Sequence, residues 1–321
     1  MKKKWLLSLA IGVVILLFLI VNLVVFLQPI DKSKTVKTSF DVRYGDGFKV
    51  IAERLEEEGL IKSRSWFKIY SLITGSAHLF KPGSYELNPS MSGVQIAKAL
   101  TSGPQDIKVI VYEGETLVDI DRKLAEAKVL DLGELKKFND SQSKSLEGFL
   151  FPDTYKFTQH SKVDDVVKKF LDNFKNKVGD HAGDDDYEDL IIASIIEKEA
   201  LRSQDRLVVS GVIHKRLDMG MALQIDASVV YAKCKGAFLS CDDKTRVLSS
   251  QDLKLKNPYN TYLYPGLPPT PISNPGKESI MAALNPQKSK YLYYISDPKT
   301  GRIIFSQTLD EHNQNRFKYL R

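Results

Sequence analysis

The sequence predicts an α+β protein: one membrane-spanning helix at the N-terminus, a region of short strand and helix modules, and a mixed C-terminal domain. Three observations predict it. One charge-free run is long enough to cross a bilayer, two segments repeat at a common offset, and the second half alternates helical periods with a proline-rich loop and a hairpin pattern. The chain has 321 residues, with 43% hydrophobic and 27% charged residues, which suits a folded protein of two or three domains. Its net charge of +6 comes from an N-terminal lysine cluster and scattered lysines, not from an arginine-rich block, so no nucleic-acid partner is expected.

From Trp5 to Leu27 the sequence carries no charge, and only Ser8 and Asn22 are polar. At 1.5 Å per residue such a helix spans a hydrocarbon core of roughly 30 Å. A cleaved signal peptide has a shorter apolar core followed by small residues, whereas this run leads into QPIDKSKT. The expected reading is an uncleaved single-pass anchor over residues 1–28. Lys2, Lys3 and Lys4 favour a cytoplasmic N-terminus, with the rest of the chain outside, although Lys32, Lys34 and Lys37 on the far side weaken the asymmetry.

Residues 38–175 read as two related modules. Gly45, Phe48, Ile51, Leu55, Leu60 and Ile61 align without gaps with Gly114, Leu117, Ile120, Leu124, Val129 and Leu130, an offset of 69. In each copy the apolar residues fall three and four apart, one face of a short helix. A glycine turn precedes each helix, and a strand pattern (FDVRY, IKVIVY) precedes each turn. A second match pairs Pro82–Tyr85 with Pro152–Tyr155, each followed by a helical pattern.

The acidic stretch Asp180–Leu190 supplies helix-start residues for IIASIIEKEA, which has the composition of a buried helix. On a helical wheel Glu197 lies beside Leu190, Ala193, Ser194 and Leu201, and Glu199 lies nearer Ile192 and Ile195. Either carboxylate, if desolvated, acquires the raised pKa that a general acid needs; spacing does not choose between them. A second amphipathic helix ends near Gly220, and a short polar segment holds Gln224 and Asp226. Asn257–Gly276, rich in proline and tyrosine, reads as a stiff ordered loop. Tyr291–Pro298 and Gly301–Thr308 read as a terminal hairpin. Cys234 and Cys241 either close a small disulfide loop or remain free. The five histidines are scattered, so neither a metal nor a cofactor is expected.

The ordered series EKEA, KRLDMGMALQIDASVVYA, NPYNTYLYPGLPPTPISNPG, YLYYISDP and EHNQN resembles the endolytic murein transglycosylase family, also called MltG or YceG-like. The resemblance covers nearly the whole chain. It implies the membrane anchor, a LysM-like region over 38–145, and a catalytic domain over 146–321. The activity it implies is lytic cleavage of the MurNAc–GlcNAc bond of peptidoglycan, with the muramoyl C6 hydroxyl as nucleophile and cell-wall synthases as partners. It places the catalytic acid on the first Glu of EKE, Glu197, and puts Gln224, Asp226, Tyr259, Asn260 and Thr261 along the glycan cleft. Lys215, Thr270 and the triplet Ile225-Asp226-Ala227 depart from the residues common in the family. The alternative class is a noncatalytic, membrane-anchored peptidoglycan-binding scaffold.

Overall fold

The structure, a computed structural model, describes residues 2–43, 45–104, 106–179 and 186–320, and side chains from residue 9 onward. It opens with helix α1 (Lys2–Phe26), in which Leu9–Phe26 has a mean hydropathy of 3.2 and is long and apolar enough to cross a membrane. From Leu9 to Val21 every residue is exposed, partial burial begins at Asn22 and Leu23, and Leu27, just past the helix, is 8% exposed. A helix that hydrophobic and that bare is suited to lipid rather than water.

The chain forms two compact units. The first, Met1–Ile107 with Thr158–His160, continues with β1 (Thr38–Val42), α2 (Phe48–Glu57), α3 (Arg64–Ile73), β2 (Gly83–Leu87) and α4 (Gly93–Ser102). Strands β1 and β2 pair antiparallel with Phe40 opposite Tyr85. Phe40, Ile51, Leu55, Phe67, Ile96 and Leu100 form its core, all at 1% exposure or less.

The second unit, Lys108–Phe157 with Ser161–Arg321, begins with the same order of elements: β3 (Ile107–Ile110), α5 (Leu117–Glu126), α6 (Glu134–Asp140), β4 (Thr154–Phe157) and α7 (Val163–Val178). Strands β3 and β4 form a second two-stranded sheet. Ile51 and Leu55 are buried in one module and Ile120 and Leu124 in the other; Leu117 is also buried, whereas Phe48 is half-buried. Gly45 and Gly114 both take positive φ, 91° and 78°, a conformation open to glycine, so each chain turns sharply into its helix. Both tyrosine corners close alike. The Tyr85 hydroxyl donates to the Lys81 carbonyl at 2.5 Å, and Tyr155 donates to Phe151 at 2.6 Å. Neither module carries a mark specific to LysM. The compact division falls at Ile107/Lys108, so the second module packs with the C-terminal half.

That half contains α8 (Tyr187–Glu199), α9 (Ser203–Asp218), α10 (Asp226–Lys233), α11 (Asp243–Arg246), α12 (Lys277–Leu284), the antiparallel hairpin β5 (Tyr293–Ser296) and β6 (Ile303–Ser306), and α13 (Leu309–Tyr319). Every residue of α8 from Leu190 to Ile196 is buried, so this helix is the axis of the core. Of the acidic stretch before it, Asp180–Asp185 lies outside the described residues, while Glu188 and Asp189 occupy the first turn. The loop Asn257–Gly276 contains no helix or strand, and it is anchored by side chains. Ser194 of α8 accepts from the Ile272 amide at 3.0 Å, and Asn274 accepts from the Gly148 and Leu150 amides, both at 2.9 Å. Cys234 and Cys241 form a disulfide. The loop it closes is held to α5, where Thr116 donates to the Gly236 carbonyl and Asp119 accepts from the Leu239 amide.

Candidate active site

The end of α8 sends its two glutamates into different surroundings. Glu197 is 6% exposed and both of its oxygens are occupied. Oε1 accepts from Arg206 at 3.3 Å, and Oε2 accepts from the Gly276 amide at 2.9 Å and the Ser279 hydroxyl at 2.8 Å. Arg206, itself 8% exposed, also pairs with Glu278 at 2.9 Å. This arrangement ties α8 to α9 and to the start of α12. Lys198, between the glutamates, donates to the Gly114 carbonyl at 2.9 Å and stands 3.8 Å from the centre of the Phe238 ring.

Glu199 lines a cleft of about 670 Å³, a volume typical of ligand sites. Burial, and then the nearby charge of Asp226, push its pKa up to about 7. Tyr294 opposes part of that rise; its buried hydroxyl makes no well-formed hydrogen bond in the chain yet stands close to the Glu199 carboxyl. A partly buried carboxyl with this pKa can give a proton near neutrality and take one back.

Gln224 and Asp226 line the same cleft, with exposed side chains. Gln224 sits at φ 54°, a left-handed conformation that costs a non-glycine residue free energy. It is held there by its amide, which donates to the Thr261 carbonyl at 3.1 Å. Asp226 begins α10 and accepts from the Tyr262 hydroxyl at 2.6 Å. Tyr259, Asn260 and Thr261 stand behind this wall instead of in it. Asn260 and Thr261 are 0% and 1% exposed. Asn260 donates to the Leu253 and Leu255 carbonyls, and Thr261 accepts from the Ile225 amide at 2.8 Å. Tyr259 packs 4.9 Å from the Tyr231 ring and shares a 2.7 Å hydrogen bond with Thr270. Of the residues departing from the family pattern, Thr270 is thus a partner of Tyr259, and Lys215 reaches outward to the Lys290 carbonyl at 3.1 Å.

Several other cleft residues were not singled out by the sequence, among them Arg216, Tyr262, Tyr294 and His312. Arg216 donates to the Leu292 carbonyl at 2.7 Å and the Leu223 carbonyl at 2.6 Å, so it braces the segment before Gln224 against the strand bearing Tyr293 and Tyr294. His312 lies 5.3 Å from the Tyr293 ring, and burial, with Arg316 and Arg216 nearby, lowers its pKa. The available signals were the Arg-Leu pair, YLYYISDP and EHNQN themselves, but only the fold turns those motifs onto one cleft. Among the described residues no group of three His, Cys, Asp or Glu is arranged to hold a metal ion.

The profile of the YceG-like family matches residues 40–318. The chain is 33% identical to the endolytic murein transglycosylase of Bacillus subtilis, with 92% of this chain and 88% of that protein aligned. It is 27% identical to the protein of the same name from Streptococcus pneumoniae, over 90% of this chain and 59% of that longer one. A crystal structure of a yceG-like protein from Listeria monocytogenes, 30% identical, superposes with a TM-score of 0.55 over 87% of this chain and 99% of that one. With most of its length matched by the profile and with a relative a third identical that it spans almost end to end, the chain belongs to the YceG-like family.

Proposed function

We propose that this protein is a membrane-anchored endolytic peptidoglycan transglycosylase in which Glu199 is the general acid and then the base. The observation that carries the reading is the Glu199 carboxyl, raised to about 7 on the wall of a cleft shared with Gln224 and Asp226. The names of the Bacillus and Streptococcus relatives support the activity. Glu199 takes the place of Glu197, which the motif alone pointed to, because both Glu197 oxygens are committed to structural donors.

In the reaction, the Glu199 carboxyl gives its proton to the oxygen bridging MurNAc and GlcNAc, and the bond from that oxygen to the muramoyl C1 breaks. The C6 hydroxyl of the same sugar forms the new bond to C1, and its proton passes to the Glu199 carboxylate, which restores the acid. The product is a 1,6-anhydromuramoyl end. Because the nucleophile belongs to the substrate, its effective concentration is high and one catalytic carboxyl suffices. Asp226, on the same cleft, offsets positive charge developing at C1, and Gln224 orients the sugar. The apolar helix α1 holds the chain in the cytoplasmic membrane by a single span, with the N-terminal lysines inside, the cleft outside and cell-wall synthases within reach.

The test is digestion of purified glycan strands by the full-length protein, with mass analysis of the new ends. Anhydromuramoyl ends support the reading. Reducing muramoyl ends would make water the nucleophile and call for a second carboxylate, first Asp226. No cleavage by folded protein would leave the scaffold class instead.

A further inference from the structure

The first unit carries an apolar stripe that its own fold does not cover. On α3, Trp66, Ile69 and Ile73 recur at spacings of three and four, which places them on one face, and Leu72 extends it. Ile69, Leu72 and Ile73 are 41%, 54% and 75% exposed, and Leu79, shortly after the helix, is 60% exposed. The remaining faces of α3 are occupied. Phe67 and Ser71 enter the core. The two cations turn to the carboxylates of α2: Lys68 reaches Glu53 at 3.1 Å and Arg64 reaches Glu56 at 3.4 Å. The outward stripe is therefore free of charge.

Where this stripe begins is decided by α1. The Trp66 ring stacks on Phe26, the last residue of the apolar span, with 6.1 Å between centroids. The neighbouring Leu27 carbonyl accepts from the Gly93 amide at 2.8 Å, so the end of the span is built into the unit without an intervening linker. If α1 crosses the bilayer, Trp66 stands at the level where acyl chains give way to headgroups, a depth that suits an amphipathic ring. The stripe runs on from that point.

We propose that the outer face of α3, from Trp66 through Ile73 and on to Leu79, lies in the interface of the same phospholipid bilayer that α1 crosses. A helix with one charge-paired side, one core side and one bare apolar side matches the pattern of interfacial helices, whose apolar face sinks to the headgroup and acyl-chain boundary. Two attachments, α1 through the bilayer and α3 along it, fix the orientation of the first unit against the membrane, which one helix alone would leave free to swivel. The proposal rests on the anchor reading of α1.

The experiment uses full-length protein in phosphatidylethanolamine–phosphatidylglycerol vesicles, with acyl chains brominated near their headgroup end as quenchers. The sequence contains only Trp5 and Trp66, so Trp66→Phe leaves Trp5 as a reporter of the anchor. The combination Trp5→Phe, Trp66→Phe and Ile73→Trp puts the sole reporter on the far end of the stripe, and the phenylalanine keeps the ring contact with Phe26. Quenching of both reporters, with the Ile73→Trp emission falling roughly twofold or more and shielded from aqueous acrylamide, is the expected result for burial at interfacial depth. A quenched Trp5 beside an Ile73→Trp reporter that bromine leaves unchanged overturns the proposal alone. In that case acrylamide access means that the face meets water, and acrylamide shielding means that protein covers it. An unquenched Trp5 overturns the anchor reading and the proposal with it.

Discussion

Replacing Glu199 with Gln keeps the shape of the side chain and its capacity for hydrogen bonds but removes the proton that titrates at about 7. General acid–base catalysis contributes roughly 100- to 10,000-fold, so turnover should fall by that factor, about 3 to 5 kcal/mol in activation free energy. The raised pKa makes a second, sharper statement. The acid form is active, so activity is present below the pKa and lost as pH rises through it. With a pKa of about 7, close to half of the enzyme is protonated at neutrality and about a tenth one unit above. The alkaline limb of the rate profile should therefore descend from about 7, roughly tenfold per unit. The Asp226 charge contributes to the rise, so Asp226→Asn should move that limb to lower pH. Glu197→Gln, which touches the contacts with Arg206, Gly276 and Ser279, should cost stability while the folded protein turns over within a few-fold of wild type. The assay is the rate of new muramoyl ends, read by mass from glycan strands across the neutral pH range, with the folded fraction of each variant measured beside it. Wild-type turnover in Glu199→Gln, or selective inactivation of folded Glu197→Gln, would refute the assignment.

Three further outcomes follow from the same packing. Glu147, whose pKa burial pushes up to about 8 from 4.5, accepts from the Leu117 amide and from Tyr231; the folded state holds a proton there that the unfolded chain releases above about 4.5, so stability declines as pH rises between these values. Glu147→Gln should flatten that decline in denaturation midpoints, and an unchanged slope would count against it. Arg206→Ala leaves the buried Glu197 carboxylate without its cation and should cost about 3 kcal/mol or more by denaturant titration; a loss below about 1 kcal/mol would show the pair to be solvated. Removing the disulfide by Cys234→Ala with Cys241→Ala frees a short loop, and loop-closure entropy sets the expected loss at about 2 to 3 kcal/mol, against which equal stability of oxidised and disulfide-free protein would argue.

Local pattern was enough to read much of this molecule, because the properties concerned are encoded over a few turns of chain. A charge-free run from Trp5 to Leu27 encodes a long apolar helix, and α1 follows it, long and apolar enough to cross a membrane. Repeated apolar spacing after Gly45 and Gly114 is a statement about one helix face in each module, and α2 and α5 lie there. The terminal hairpin was likewise visible in its alternation. The different surroundings of Glu197 and Glu199 were not, since α8 is buried on every side from Leu190 to Ile196 and a helical wheel distinguishes only a wet face from a dry one. What separates them is which other segments arrive: Arg206, Gly276 and Ser279 around Glu197, and Asp226 and Tyr294, far apart in sequence, around Glu199. Asn260 and Thr261 have the chemistry of ligand-binding residues, but a loop without regular structure must satisfy its buried backbone groups, and these side chains do that for Leu253, Leu255 and Ile225. The pairing of Cys234 with Cys241 also needed a distance, 5.6 Å between Cα atoms, which α10 and the turn after it set. Sequence by itself determined the apolar helix, the modules and the family, which depend on residue order and local periodicity; tertiary structure alone decided which carboxyl is tied to structural donors and which stands on the cleft beside Asp226, because such surroundings depend on everything that packs around a group and not on its neighbours along the chain.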